Sequence, residues 1–221
     1  MVERTATSSR RRRRRFAVGI AAVVSIATAG AAVVEAHGGH RSVRQRADVM
    51  QQGGDGVYEH RGAKAIRTDH SIEIKWNVHT PAPGSYTYPT GDMVPPGAPP
   101  HPDLVVGYPE VFTLWLFGFD HPELCSDGVC DGNDVGDTPA RGSVYQLDGE
   151  IAYGQHVRMS GKVRLGQAPA NGPGLANPLG AEVHVAMAPH GMVLEDADLI
   201  RQLNSPVGGP PLWFAAIFLA P

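Results

Sequence analysis

Two groups of side chains in this 221-residue chain have the types and spacing that metal ions use. The first is histidine: His37-Gly38-Gly39-His40 in the N-terminal part, with His184 and His190 far downstream. A chain cut after Ala36 begins at His37, whose α-amine and imidazole together can chelate Cu(II) in a tetragonal arrangement completed by His40, His184 or His190. The second is oxygen: Asp127, Asp131, Asn133, Asp134 and Asp137 fall in one short glycine-containing stretch. They offer the hard ligands that Ca2+ takes, and the glycines let the backbone curl.

Each group also has a plainer reading. Ala181, Val183, Val185 and Met187 alternate with Glu182, His184 and Ala186 at the period of a strand. His184 is then an ordinary side chain on the face opposite the valines, Pro189 stops the ladder for want of an N–H, and His190 sits in a turn. A cut at Ala27-Thr28-Ala29 leaves His37 and His40 in a tail. The acidic stretch departs from the EF-hand order, with Val135 and Gly142 where ligands are required, so a solvated acidic turn competes with a calcium site.

Cys125 and Cys130 are the only cysteines. In an exported chain they are expected to form a disulfide, and their spacing fits neither a zinc ribbon nor a two-residue redox motif. Beside them Asp120, His121 and Glu123 are the groups that an acid–base enzyme reading selects. The chain lacks a Gly-x-Ser-x-Gly nucleophile turn, a His-Glu-x-x-His helix and a phosphate-binding glycine loop. The leading expectation is therefore an exported, non-catalytic binding or structural domain of unknown ligand. An extracytoplasmic copper or calcium binder is the first alternative, and an unidentified extracytoplasmic enzyme the second.

Export is read from the N-terminus. Arg10 to Arg15 precede an uncharged run from Phe16 to Val34, in the form of a signal, and Arg13-Arg14-Arg15-Phe16 also permits a twin-arginine version. Ala27-Thr28-Ala29 and Val34-Glu35-Ala36 offer cleavage sites, and uncleaved residues 16–34 would be a membrane tether. Beyond residue 36 the chain holds 12 basic and 20 acidic residues. Such an acidic domain is a poor partner for nucleic acid or anionic lipid.

The elements that must position these groups are mostly strands. Residues 1–36 are expected to be an export signal or signal anchor, 37–56 a flexible lead-in with a helical turn or two around Val43 to Gln52, and 57–221 one domain. Ser71–His79 places Ile72, Ile74, Trp76 and Val78 on one face, and Gln155–Leu165 alternates in the same way. Val111–Phe119 is apolar on both faces and marks a strand covered on each side. Ser143–Asp148 and Glu150–Tyr153 form two short strands with Gly149 as a bulge, and Leu212–Leu219 is the last strand. Glu195 and Asp196 ahead of Leu199, Ile200 and Leu203 predict a helix over 194–203. Residues 81–110 hold nine prolines and must be loop. The fold expected is all-β: an antiparallel β-sandwich, or open barrel, of seven or eight strands with one short C-terminal helix.

Alternating strands from Gly142 to Gly191, a Gly/Asn/Pro loop and a strand bearing Val183-His184-Val185 resemble the CHRD family of secreted β-sandwich modules. That resemblance implies a sandwich and export, and it transfers no activity. The family carries a His-x-His pair on the matching strand, whereas Glu182 and Ala186 flank His184 here. The whole chain is also similar to uncharacterised exported prokaryotic proteins.

Overall fold

A computed structural model describes residues 33–37, 40–51, 56–82, 109–204 and 213–221, with side chains from Ser42 onward. Its strands in chain order are β1 (Val33–His37), β2 (His40–Gln51), β3 (Val57–Thr68), β4 (Ser71–His79), β5 (Glu110–Phe119), β6 (Gly142–Ala152), β7 (His156–Arg164), β8 (Glu182–Met192) and β9 (Phe214–Phe218). The one α-helix among the described residues, α1, is Asp196–Leu203. Every ladder between the strands is antiparallel. The order across the sheet is β6-β5-β8-β9-β2-β3-β4-β7, with β1 flanking β2. The protein is therefore all-β, a nearly closed antiparallel barrel with one short helix near its C-terminal end.

The order has a Greek-key form: β5, β6 and β7 follow one another, and β8 returns to lie beside β5. Two connections cannot be hairpins. β4 has β3 and β7 as neighbours, so the chain must travel to reach β5, and the same holds between β7 and β8. This explains the length of the proline-rich stretch 81–110. Residues 83–108 of it lie outside the described residues, and Glu110 already belongs to β5.

The core follows from period-two patterning. Ile72, Ile74, Trp76 and Val78 of β4 meet Phe112, Leu114 and Leu116 of β5, Val183, Val185 and Met187 of β8, and Phe214 of β9 inside the barrel. The other face of β5 is covered as well. Trp115, Phe117 and Phe119 pack with Ala186, Ala188, Trp213 and the two cysteines in a second cluster outside the barrel wall. All ten residues of β5 are buried for that reason.

At the two ends of the strand order, β6 and β7 lie against each other. Carboxylates join this seam: the Ser160 N–H donates to Asp148 Oδ2 at 2.9 Å and the Arg158 N–H to Glu150 Oε2 at 2.9 Å. These acceptors satisfy donors that an open edge would leave to water. Gly161 permits the approach, because a Cβ there would stand 2.7 Å from Leu147 Cβ.

Several expectations are corrected. Residues 40–51 are not a flexible lead-in with helical turns but strand β2, which lies between β3 and β9. Its inner positions are Val43, Gln45, Ala47 and Val49, so a buried glutamine interrupts the apolar period. β3 escapes the sequence patterning because Ala63, Ala65 and Arg67 carry its inner face. The folded part thus starts before residue 57. β6 is a single strand whose irregularity falls at Leu147, between the pairs Leu114↔Asp148 and Trp115↔Gln146, and not at Gly149. Pro189 does not end β8: it pairs opposite Phe112 beside a register shift, where a missing N–H is tolerated. In α1 Gln202 is the buried residue and Ile200 is exposed, so the stripe expected from Leu199, Ile200 and Leu203 is only partly used.

Candidate functional site

Three carboxylates of the acidic stretch, those of Asp127, Asp131 and Asp134, accept from its own backbone. The Cys125–Cys130 disulfide forms, with Cα atoms 5.1 Å apart. Around it Asp134 is 2% exposed and accepts from the Ser126 N–H at 2.9 Å and the Asp131 N–H at 3.1 Å. Asp131 accepts from the Asn133 N–H at 2.7 Å, completing a reciprocal capping box, and Asp127 accepts from the Val129 N–H at 3.0 Å. Carboxylates bonded to local N–H groups in this way shape a loop. Among the described residues no group of three or more His, Cys, Asp or Glu is arranged to hold a metal. Of the residues in the calcium expectation, Asp127, Asp131 and Asp134 thus accept from the loop's own backbone N–H groups.

Asp120, His121 and Glu123 do not converge. Asp120 is buried and caps the β7–β8 crossover, accepting from the Ala176 and Asn177 N–H groups at 3.0 and 2.9 Å. His121 and Glu123 form an exposed pair at 3.3 Å. Asp120 therefore ties a crossover to the end of β5, and the other two stand in solvent.

The histidines of β8 separate in role. His184 lies on the outer face, with Nε2 2.6 Å from Glu182 Oε1 and its ring edge-on to Phe119. His190 is not a turn residue but is 1% exposed within the extended β8. Its Nε2 is 2.7 Å from Thr113 Oγ1, which also accepts the Trp115 Nε1–H at 2.8 Å. Gln202 of α1 completes the environment: its amide N–H groups donate to the carbonyls of His190 and Met192, and its Oε1 accepts the Leu194 N–H. A Trp–Thr–His chain and a buried glutamine thus hold the irregular end of β8. Pro189-His190-Gly191 has the composition of a turn, so nothing in the sequence signals this burial.

A second arrangement missed by sequence reasoning lies where β4 ends and β7 begins. The His79 Nδ1 is 2.6 Å from Glu59 Oε2, and the rings of His79 and His156 stand 4.3 Å apart. The hydrogen bond to His79 holds the Glu59 carboxyl below its usual range, helped by the charges of both imidazoles and opposed by burial. The adjacent Tyr58 donates its hydroxyl to the His79 carbonyl at 2.9 Å, and its pKa is pushed up to about 12, chiefly by burial. The register pairs His79 with His156, and it brings two imidazoles from distant parts of the chain to one rim. Period-two patterning alone assigns both to a solvent-facing side.

Between β6 and α1 an open depression of about 380 Å³ is lined by Gln146, Leu147, Asp148, Gly149, Leu203 and Asn204. Its polar groups are engaged: Gln146 Nε2 donates to the Leu203 carbonyl, and the two Asp148 oxygens accept the Gly149 and Ser160 N–H groups. His37 and His40 are opposed in the β1–β2 register, and their side chains lie outside the described residues. The export signal or tether expected over residues 1–36 also lies outside them, apart from the start of β1. Among the described residues no helix is long and apolar enough to cross a membrane. No family model matches the chain, and no significant match is found among curated proteins or solved structures.

Proposed function

We propose that the chain is an exported, non-catalytic binding or structural module. Its barrel acts as a scaffold, and recognition falls to the rims and connections. The observation that carries this reading is the use made of the reactive side chains. Asp120, Asp131, Asp134 and His190 all hold backbone or buried hydrogen bonds, and large side chains fill the barrel interior. Among the described residues these side chains occupy the interior space that a larger barrel gives to a ligand. The disulfide fits an oxidising compartment, and the resemblance to secreted CHRD modules points the same way.

The test uses protein exported and processed by its own host, assayed against ester, glycoside, phosphoester and peptide substrates. No turnover above the buffer rate is expected. Turnover that falls at least tenfold in His121→Ala or Glu123→Ala would overturn the reading in favour of an enzyme. These two are chosen because they are exposed, whereas Asp120 is structural.

A further inference from the structure

Charge is unevenly distributed over the barrel wall of this acidic chain. The outward positions of β2, β3, β4 and β7 carry all three lysines, Lys64, Lys75 and Lys162, together with Arg46, Arg158 and Arg164. All but the half-buried Lys64 are exposed. Arg46 is opposite Lys64 and Lys64 is opposite Lys75, so three cations form one row across three strands. At the usual spacing between strands that row runs about 10 Å. Lys75 is in turn opposite Ser160, which makes Arg158 and Lys162 its diagonal neighbours on β7. Among the described residues Glu73 is the one carboxylate within the patch, 3.5 Å from the Lys75 ammonium. Carboxylates at its border have other partners: Asp48, Asp148 and Glu150 accept the backbone N–H groups of Arg61, Ser160 and Arg158, and Asp69 pairs with His70.

Like charges directly opposite one another on neighbouring strands cost stability, and a bound polyanion removes that cost. We propose that this wall docks a linear acidic polysaccharide, whose carboxylates lie along the row Arg46, Lys64 and Lys75 and across to Lys162. The proposal rests on the reading of the chain as an exported binding module, and it adds the outer wall to the rims and connections as a surface for recognition. Charge complementarity calls for a polyanion, and two further features select its kind. The wall of a barrel is convex and twisted, so a planar bilayer meets it along a line, whereas a flexible polymer can follow it. Between the cations stand Ile66, Asn77 and Ser160, of which the one apolar residue is half-buried. These positions offer no aromatic ring for stacking a nucleobase and no bulky apolar tip for burial in lipid. Arg158 is already oriented, since its Nε donates to Asn77 Oδ1 at 3.2 Å, and a planar guanidinium suits a carboxylate.

The test is calorimetric titration of the full chain with polygalacturonate at low ionic strength, with neutral dextran as the blank. Polygalacturonate should bind, more weakly as salt is raised, and dextran should not; an unaltered chain that fails to bind polygalacturonate would overturn the proposal. Lys64→Gln combined with Lys75→Gln should weaken binding by about tenfold. Arg141→Gln combined with Arg201→Gln removes the same charge beside Asp120 and on α1, and should leave binding unchanged. Equal weakening in both pairs would mean attraction by net charge alone and would overturn the assignment to this wall. The lysine variant should keep or raise the urea midpoint, because it relieves repulsion; a lower midpoint would remove the like-charge argument and the proposal with it. On the unaltered chain, substoichiometric polygalacturonate should shift the NMR amide signals of Lys64, Lys75 and Lys162 before those of Asp127 and Val129, and the reverse order would sink the proposal. Tighter binding, charge for charge, to phosphatidylglycerol vesicles or to single-stranded DNA would give the wall to a bilayer or to nucleic acid and overturn it as well. Binding accompanied by shortening of the polymer would keep the wall as a docking surface and overturn the non-catalytic reading instead.

Discussion

Arg67 points inward from β3 and is completely buried, a costly place for a cation. Three carbonyls offset the cost. Its guanidinium donates to Ala181 ahead of β8, to Phe218 at 2.9 Å and to Leu219 at 3.3 Å, while Gln45 Nε2 donates to the same Leu219 carbonyl at 2.9 Å. Burial lowers the Arg67 pKa to about 10, with Glu182 pulling the other way, so the group stays charged at neutral pH. The role is to close the wall where β9 leaves β2, since their ladder comprises only Met50↔Ala215 and Gln51↔Phe214. Arg67→Met keeps the bulk but strands the carbonyls, and it is expected to cost about 3 kcal/mol, read as a lower urea midpoint at unchanged slope. An unaltered midpoint would mean that these bonds contribute nothing net. Glu110 gives a prediction of opposite character. Burial pushes its pKa from 4.5 up to about 7. The folded state then binds more protons than the unfolded one across that interval, so stability should fall as pH rises from about 4.5 to about 7 and level off above. Glu110→Gln should flatten that slope and be the more stable protein at pH 8, as equilibrium denaturation at several pH values would show.

At the level of elements, the β6–β7 seam depends on side-chain carboxylates and on one glycine. Gly161→Ala would place a methyl group 2.7 Å from Leu147 Cβ and 2.9 Å from its carbonyl oxygen. The expected loss is about 2 kcal/mol, with faster hydrogen exchange at the Arg158 and Ser160 amides and little change at those facing β4. The strands legible in the sequence were those whose inner residues are large and apolar at period two. Ile72, Ile74, Trp76 and Val78 announce β4, and Val157, Met159 and Val163 announce β7. β2 and β3 were not legible, because Gln45, Ala63, Ala65 and Arg67 fill inward positions where patterning expects bulk hydrocarbon. The disulfide followed from cysteine count and compartment. The loop carboxylates could not be assigned from type and spacing, since a chain of aspartates is equally suited to capping N–H groups and to binding a cation. The burial of His190 is not legible because a proline before it and a glycine after it mark a turn in most contexts, whereas the Gln202 amide and the Thr113 hydroxyl support an extended, buried course.

For the whole molecule, the disulfide reports on compartment more than on stability. It closes a loop of sequence separation 5, and removing it by Cys125→Ser with Cys130→Ser should cost about 2 kcal/mol in the chain-entropy model. Protein taken from its host and alkylated before reduction should carry no label on either cysteine. Labelling of both would place the chain in a reducing compartment. The strand order has a kinetic consequence as well. β9 completes the wall between β8 and β2, yet it follows both of them in the chain. As the polypeptide emerges from the ribosome or from a membrane channel, the barrel stays unzipped along that line until Phe214–Phe218 is free. Until then the chain remains threadable, and closure of the wall waits for the last strand to be made. A polypeptide truncated before Trp213 should be a persistent substrate for chaperones and proteases, because it exposes two strand edges at once.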